Sequence, residues 1–254
     1  MKDINDFRRS AYWPGTFLSV GSTVITEIAA QYPFKWLLLD MEHGGFTHDT
    51  IVDHLRALGD KPIMAIVRIP TIESGLISKL LDAGADGIMV PHVVSKDQIE
   101  ICRSYMHYPP VGKRGFSSSV RQYLYGTNVP ENASEFNKPL LFAQIEDVEG
   151  VLNAEEIAAV NEVDALFVGP ADLKLALRYD TSSQLSYEES LKIVAAAAIN
   201  NQKKAGILLR DKLHFDLVRE LGYGCIAIGS DIGMLRSGYL QTIKDLNEFF
   251  QNKD

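Results

Sequence analysis

Eight short runs of apolar and often β-branched residues recur along the chain, at 16–20, 36–39, 63–67, 87–90, 140–145, 165–168, 206–209 and 225–228. They do not alternate with polar residues, which is the mark of strands covered on both faces, as in a parallel sheet. Stretches with helical spacing of apolar positions lie between most of them, among them 50–58, 75–83, 188–204 and 213–221. Two of these stretches lead into a glycine just before the next strand, Gly84 and Gly222, and glycine tolerates the left-handed conformation that stops a helix. Strand and helix alternating eight times predict an α/β protein, a (β/α)8 TIM barrel. The loops after its strands form the upper rim, and the turns before them the lower face.

At 254 residues, with 46% of them apolar, the chain has the usual size of one such barrel and enough apolar material for a large core. Nothing divides it, so residues 1–254 are expected to form a single domain. Two intervals are longer than a simple unit: about fifty residues between the fourth and fifth strands, and about forty between the sixth and seventh. Both are expected over the active-site face, the tract from Gly112 to Ser119 in the first reading as a Ser-rich lid. A formal charge of −8 with scattered basic residues excludes nucleic acid as a partner, whose binding needs clustered Lys and Arg. The segment from Met1 to Arg9 lacks the apolar core of a signal peptide, and no apolar stretch approaches the ~20 residues of a membrane span. With only Cys102 and Cys225, far apart, these points predict a cytoplasmic protein.

The residues that close the strands are unusually polar: Asp40, Glu42 and His43 after the second, Arg68 after the third, Pro91 and His92 after the fourth, Gln144 and Glu146 at the fifth. Asp172 follows the sixth, Arg210 and Asp211 the seventh, Ser230 and Asp231 the eighth. Acids where buried strands run out, at Glu146 and again at Asp172, are hard to explain by packing, because an unpaired buried carboxylate costs several kcal/mol. A divalent cation would explain both, and hard oxygen ligands suit magnesium or manganese. The alternative is that Asp172 caps the next helix and Glu146 pairs with a surface base. His43, set among carboxylates at a strand end, is a candidate for proton transfer. Arg68 either faces the mouth, where it could hold a carboxylate or an enolate oxygen, or snorkels out at the rim. His92, His107 and His214 show no partner spacing, and the cysteines show none that suits a thiol nucleophile.

The stretches Leu39-Asp40-Met41-Glu42-His43-Gly44, Val67-Arg68, Asp82-Ala83-Gly84-Ala85, Val90-Pro91, Arg114-Gly115, Gln144-Ile145-Glu146, Gly169-Pro170-Ala171-Asp172-Leu173 and Gly229-Ser230-Asp231, in that order, resemble the HpcH/HpaI family. Its members include the class II pyruvate aldolases, 4-hydroxy-2-oxoheptanedioate aldolase among them. The resemblance implies reversible cleavage of a 4-hydroxy-2-oxo acid to pyruvate and an aldehyde, with a divalent cation (Mg, Mn or Co) held by Glu146 and Asp172. It assigns the keto and enolate oxygen to Arg68, and proton transfer to His43 or a water on the cation. Gln144 would lie near the substrate, and the backbone of Gly169, Pro170, Ala171 and Asp172 would receive the pyruvate carboxylate. It also implies a hexamer in which Asp82 orients His43 as a dyad. Asp82 ends a helix on the lower face, so it would act on a neighbouring subunit; helix capping or a subunit salt bridge is the alternative.

Two positions depart from the family pattern. Lys174 stands where serine is common, and Leu208-Leu209-Arg210 where small apolar residues are. Arg210 adds positive charge on the acceptor side and points to substrate binding with an aldehyde other than succinic semialdehyde, anionic or sugar-derived. Three rivals remain at this point. A malyl or citramalyl thioester lyase would need a coenzyme A site, and a Schiff-base aldolase would use Lys174. A catalytically silent binding subunit would have no need of the polar mouth.

Overall fold

Eight parallel strands pair in sequence order and the eighth closes onto the first, so the expected barrel is present. The computed structural model describes residues 3–132, 136, 138–181 and 183–251. Met1, Lys2 and 252–254, which entered the expectations about the N terminus and the domain bounds, lie outside the described residues. The elements run α1 (Ile4–Arg9), β1 (Trp13–Leu18), α2 (Thr23–Ala29), β2 (Trp36–Asp40), α3 (Ile51–Ala57), β3 (Met64–Arg68), α4 (Ser74–Asp82), β4 (Gly87–Val90) and α5 (Lys96–Met106). They continue with β5 (Leu140–Ile145), α6 (Val148–Leu152), α7 (Ala154–Ala158), β6 (Val163–Val168), α8 (Pro170–Tyr179), α9 (Tyr187–Asn200), β7 (Lys204–Leu209), α10 (Phe215–Glu220), β8 (Cys225–Ser230) and α11 (Asp231–Gln251).

The uninterrupted apolar runs serve two cores at once. Leu37, Leu39, Ala65, Val67, Leu141 and Ala143 join the layer under the helices, while Trp36, Leu38, Met64, Ile66, Leu140 and Phe142 fill the interior. Successive residues of a strand point to opposite faces, so each run is divided between the two by parity. The interior is aromatic: the fully buried Trp36 meets Phe142 and Phe167 edge-on, with centroids 5.9 and 5.7 Å apart. Its Nε1 donates to the Trp13 carbonyl at 2.8 Å, which leaves its polar atom satisfied while the ring contributes about 4–6 kcal/mol of burial. Two residues further up the same inward rows stand Asp40, Arg68 and Gln144. The polar mouth is thus the third inward layer, laid on an aromatic floor.

Below, α1 stoppers the barrel. Phe7 stacks on Trp13 at 3.7 Å between centroids, and Arg8 reaches the carboxylate of Asp164 on β6 at 2.7 Å. β1 begins at Trp13, three residues earlier than its apolar run suggests, because Trp13 and Pro14 pair with Cys225 and Ile226 to close the barrel. Gly84 and Gly222 have φ of 97° and 81°, the left-handed stops expected of them. Among the described residues no helix is long and apolar enough to cross a membrane.

One expectation is overturned. The described residues of the long segment between β4 and β5 do not cover the mouth. α5 follows β4 after five residues and carries the chain down, so the insertion falls between helix and strand, on the lower face. There Arg114, with a side chain 1% exposed, binds Asp82 at 2.5 Å and Gln122 at 2.7 Å and lies over the Tyr108 ring. Arg121 donates to the carbonyls of Ala83 and Leu55. Guanidinium groups satisfying a carboxylate and helix-end carbonyls hold this segment under the barrel. The second long interval, which begins with α8 directly after β6, does contribute to the mouth.

Arg8 can be tested. Burial pushes the Asp164 carboxyl above its usual range even though Arg8 and the Leu141 N–H oppose it. Arg8→Ala is expected to lower stability at neutral pH by roughly 3 kcal/mol, since it strands a buried charge. The loss should shrink as pH falls through the raised Asp164 pKa, where the carboxyl takes a proton and the charge is gone. Urea unfolding at several pH values measures both; a loss that does not change with pH would place the contribution of Arg8 elsewhere.

Candidate active site

The inward ends of the strands enclose a cleft of about 600 Å3 at the upper mouth. Register sets its centre, because Asp40 on β2 lies beside Arg68 on β3. Arg68 donates from Nε and Nη2 to both carboxylate oxygens of Asp40, at 2.9 and 2.7 Å, and Nε also lies 3.2 Å from Glu42. Its Nη1 lies 3.5 Å from Gln144 Oε1. Burial would lower the Arg68 pKa, but Asp40, Glu42 and Glu146 more than offset it and the pKa is raised. Burial likewise opposes the Asp40 charge, and the Arg68 guanidinium with the N–H groups of His43 and Glu42 still holds the carboxyl below its usual value.

Those two amides matter for geometry as well. By donating to Asp40 Oδ1 they fold the residues after β2 into a tight turn. The turn leaves His43 lining the cleft with its ring 64% exposed and Nε2 4.0 Å from Glu42 Oε2.

On the other side, Gln144 donates to Glu146 in a very short hydrogen bond. Glu146 is 1% exposed and also accepts the His92 N–H at 2.9 Å. Burial pushes its carboxyl up, and the charge of Asp172 adds to the shift against His92 and Gln144. Asp172 lies in the first turn of α8, where Gly169 holds the N-cap position and no side-chain cap bond forms, so helix capping does not explain it. Gly169 lets the backbone pass close to both side chains: a Cβ there would meet the carboxylate of Glu146 and the amide of Gln144, and both would have to shift.

The donor set suits a hard divalent cation. Two carboxylates lie within electrostatic reach of each other, one fully desolvated and with its pKa raised by the other. No three acid, histidine or cysteine side chains cluster as ligands among the described residues. Such a pair leaves most positions on an octahedral ion to water or substrate, which is how magnesium is normally bound.

The structure brings together His43, Arg68, Gln144, Gly169, Pro170, Ala171, Asp172 and Arg210 around the cleft, with Glu146 hydrogen-bonded to Gln144. It does not bring in Asp82, which is paired with Arg114 below. Lys174 lies 4.4 Å from the Tyr187 ring as a cation over an aromatic face, on the α9 side. Both cysteines are buried, and burial pushes the Cys102 thiol up to about 12.

Sequence reasoning left His92 without a partner. Its backbone sits at φ 49°, which turns its N–H onto Glu146, while its ring Nδ1 lies 3.1 Å from Asp147 and Nε2 3.8 Å from Glu42. Burial would lower its pKa, yet Asp147, Glu146 and Glu42 together raise it. The available signal was its place at a strand end, directly after Pro91.

Residues 14–237 match the model of a protein family described as HpcH/HpaI aldolase/citrate lyase. A hydroxypyruvate/pyruvate aldolase of Agrobacterium fabrum is 37% identical over 225 residues, covering 86% of this chain and 83% of that protein. A 5-keto-4-deoxy-D-glucarate aldolase of Klebsiella pneumoniae is 35% identical over 225 residues, 88% of either chain. The crystal structure of a family protein from Burkholderia cenocepacia is similar at a TM-score of 0.88 and 29% identity, covering 96% of this chain and 98% of that one.

The raised Glu146 pKa has a measurable sign. In cation-free protein at neutral pH, Glu146→Gln is expected to raise Tm, because the native state holds a charge there at a cost that a neutral amide lacks. The gain should vanish as pH falls through the raised pKa. Added magnesium or manganese should stabilise the parent protein and not the variant. Calorimetry with and without cation decides it, and equal stabilisation of both proteins would remove Glu146 from the cation site.

Proposed function

The chain belongs to the HpcH/HpaI aldolase/citrate lyase family, and we propose that it is a divalent-cation-dependent aldolase that reversibly cleaves a 4-hydroxy-2-oxo acid to pyruvate and an aldehyde. The observation that carries this reading is the convergence of two carboxylates, Glu146 and Asp172, with a charged, oriented Arg68 across Gln144. The similarity to a hydroxypyruvate/pyruvate aldolase and a 5-keto-4-deoxy-D-glucarate aldolase supports the same chemistry.

Glu146 and Asp172 would hold magnesium, manganese or cobalt. When bound, the cation acts as a Lewis acid that draws electron density from the 2-oxo group. The remaining work belongs to the chain. The N-terminal amides of α8, after Gly169, receive the substrate carboxylate, favoured by the helix dipole. Arg68, fixed in place by Asp40, keeps donors on its terminal nitrogens for the 2-oxo oxygen, where negative charge grows as the bond breaks. His43 takes the proton of the 4-hydroxyl. The bond between carbons three and four then breaks, its electron pair passes into the enolate of pyruvate, and the aldehyde leaves; protonation of carbon three completes pyruvate. Phe17 and Phe167 on the cleft floor exclude water from beneath the enolate.

A homo-oligomer, hexameric as the family resemblance suggests, is part of this proposal. Leu235, Tyr239, Leu240, Ile243, Leu246, Phe249 and Phe250 on α11 are all exposed in the single chain, more apolar surface than a monomer normally leaves in water. Asp82 would meet His43 only from a neighbouring copy.

Pyruvate release from a panel of 4-hydroxy-2-oxo acids is expected to disappear with a chelator and return with magnesium or manganese. Release that survives chelation overturns the cation's role. Borohydride with pyruvate should leave the enzyme active, since Lys174 points away from the cleft; inactivation would favour a Schiff base instead. Arg68→Ala should lower kcat/KM on the order of 10²-fold, as loss of a transition-state donor does. A variant with the parent's rate would put Arg68 outside the reacting centre.

A further inference from the structure

His54 on α3 has no part in the proposed reaction, yet it is a histidine only 1% exposed. A polar ring so deeply buried is tolerable only if its nitrogens have partners. Nδ1 lies 2.8 Å from the Thr26 hydroxyl on α2, which is itself buried. A backbone hydrogen bond ties the ring to Gly21, in the loop after β1. That bond favours the protonated ring, so the ring donates and the Gly21 carbonyl accepts. Burial outweighs both this bond and the charge of Asp53, and it pushes the His54 pKa below the usual imidazole range. The ring is therefore neutral at neutral pH, with one N–H and one lone pair. The N–H is engaged by Gly21, and Nδ1 accepts from Thr26.

The face of the ring is used as well. Phe46, 6% exposed, lies against it with centroids 4.5 Å apart. Phe46 belongs to the loop after β2, three residues beyond His43. One side chain thus joins the loops after β1 and β2 to the two helices that follow them.

Those loops meet backbone to backbone. The Gly45 N–H donates to the Ser19 carbonyl at 2.8 Å. Gly21 has φ of 74°, and a Cβ on it would come within 2.7 Å of the Gly45 carbonyl oxygen. The turn that presents His43 is held on its strand side by the Asp40 carboxylate, through the His43 N–H. On its other side come Gly44 and Gly45, whose wide conformational freedom fixes no direction by itself. The next side chain along the chain that is anchored in the core is Phe46, and it rests on His54.

We infer that His54 is a positioning residue for His43: by joining the Gly21 carbonyl, the Thr26 hydroxyl and the Phe46 ring, it fixes the loop after β2 against the loop after β1 and so sets where the His43 imidazole stands over the cleft. This rests on the reading in which His43 takes the 4-hydroxyl proton. The His43 ring is 64% exposed, so its aim comes from the backbone on either side more than from packing of its own. A displacement of about 1 Å at a reacting group can cost about 100-fold in rate.

The test follows pyruvate release from a 4-hydroxy-2-oxo acid, with saturating magnesium, in His54→Leu, His54→Gln and Thr26→Val. His54→Leu fills the space without either hydrogen bond. It should lower kcat about tenfold while KM and magnesium affinity stay within about twofold of the parent. His54→Gln keeps a donor for the Gly21 carbonyl and should recover most of the loss. Thr26→Val removes one hydroxyl at nearly constant shape and should lower kcat to a smaller extent with KM held; it decides the matter where His54→Leu does not fold. In a His43→Ala background the same replacements should cost little more, because effects that act through one group do not add. A parental kcat in both His54→Leu and Thr26→Val overturns the assignment. So does a loss carried by KM or magnesium affinity, or an equal fractional loss in the His43→Ala background. A parent enzyme that releases no pyruvate from any 4-hydroxy-2-oxo acid sinks the aldolase reading and this assignment with it. A His43→Ala variant at the parent's rate sinks the assignment and leaves the aldolase reading standing.

Discussion

A guanidinium lying on an aromatic floor is the constraint around which the rest of the mouth is arranged. Arg68 is almost out of water, with Phe17 and Phe167 below it, and a charge in that position is tolerable only if it is paired and its donors are filled. Asp40 supplies the pair through two parallel bonds. Because Asp40 must face inward to do so, its second function follows: the amides of Glu42 and His43 fold onto the same carboxylate and set the turn that presents the histidine. From Arg68 the order continues through the Gln144 amide to Glu146 and on to the backbone of His92. Charge, dipole and charge alternate along this row, so each member orients the next.

The barrel makes such a row possible by parity alone. Three strands change from apolar to polar at the same height, at Asp40, Arg68 and Gln144. The change requires no distortion of the backbone, only a different residue at the third inward position. Where the backbone does depart from ordinary conformations the reason is local. His92 takes a left-handed turn that aims its N–H at a buried carboxylate.

Most of this framework could be read along the chain because both signals involved are short-range. Apolar runs mark strands, and the residue at the end of a run is at the mouth whatever the tertiary detail. What could not be read depended on which side of a helix an insertion falls. The interval before β5 has the same length wherever α5 begins, so nothing in its spacing distinguishes an upper lid from the lower-face segment that Arg114 and Arg121 secure. His92 acts through its main chain and two acids, Asp147 and Glu42, on different strands' loops, a relation with no sequence period. Arg236, which also lines the cleft, escaped notice for a related reason: six residues into a helix, it looks like any solvated surface position until the helix is seen to start at the rim.

The Asp231 carboxylate, buried against the amides of Ser19 and Val20, joins the loop after the first strand to the start of the last helix. The two sectors of the mouth that touch there are about 210 residues apart in the chain, and everything between them forms the rest of the rim. During synthesis the first seven strands can associate as they emerge, but the cleft has an open side until β8 and Asp231 have left the ribosome. A chain that stops short of that point therefore exposes the polar mouth together with the aromatic floor beneath it, and makes both available to chaperones and proteases.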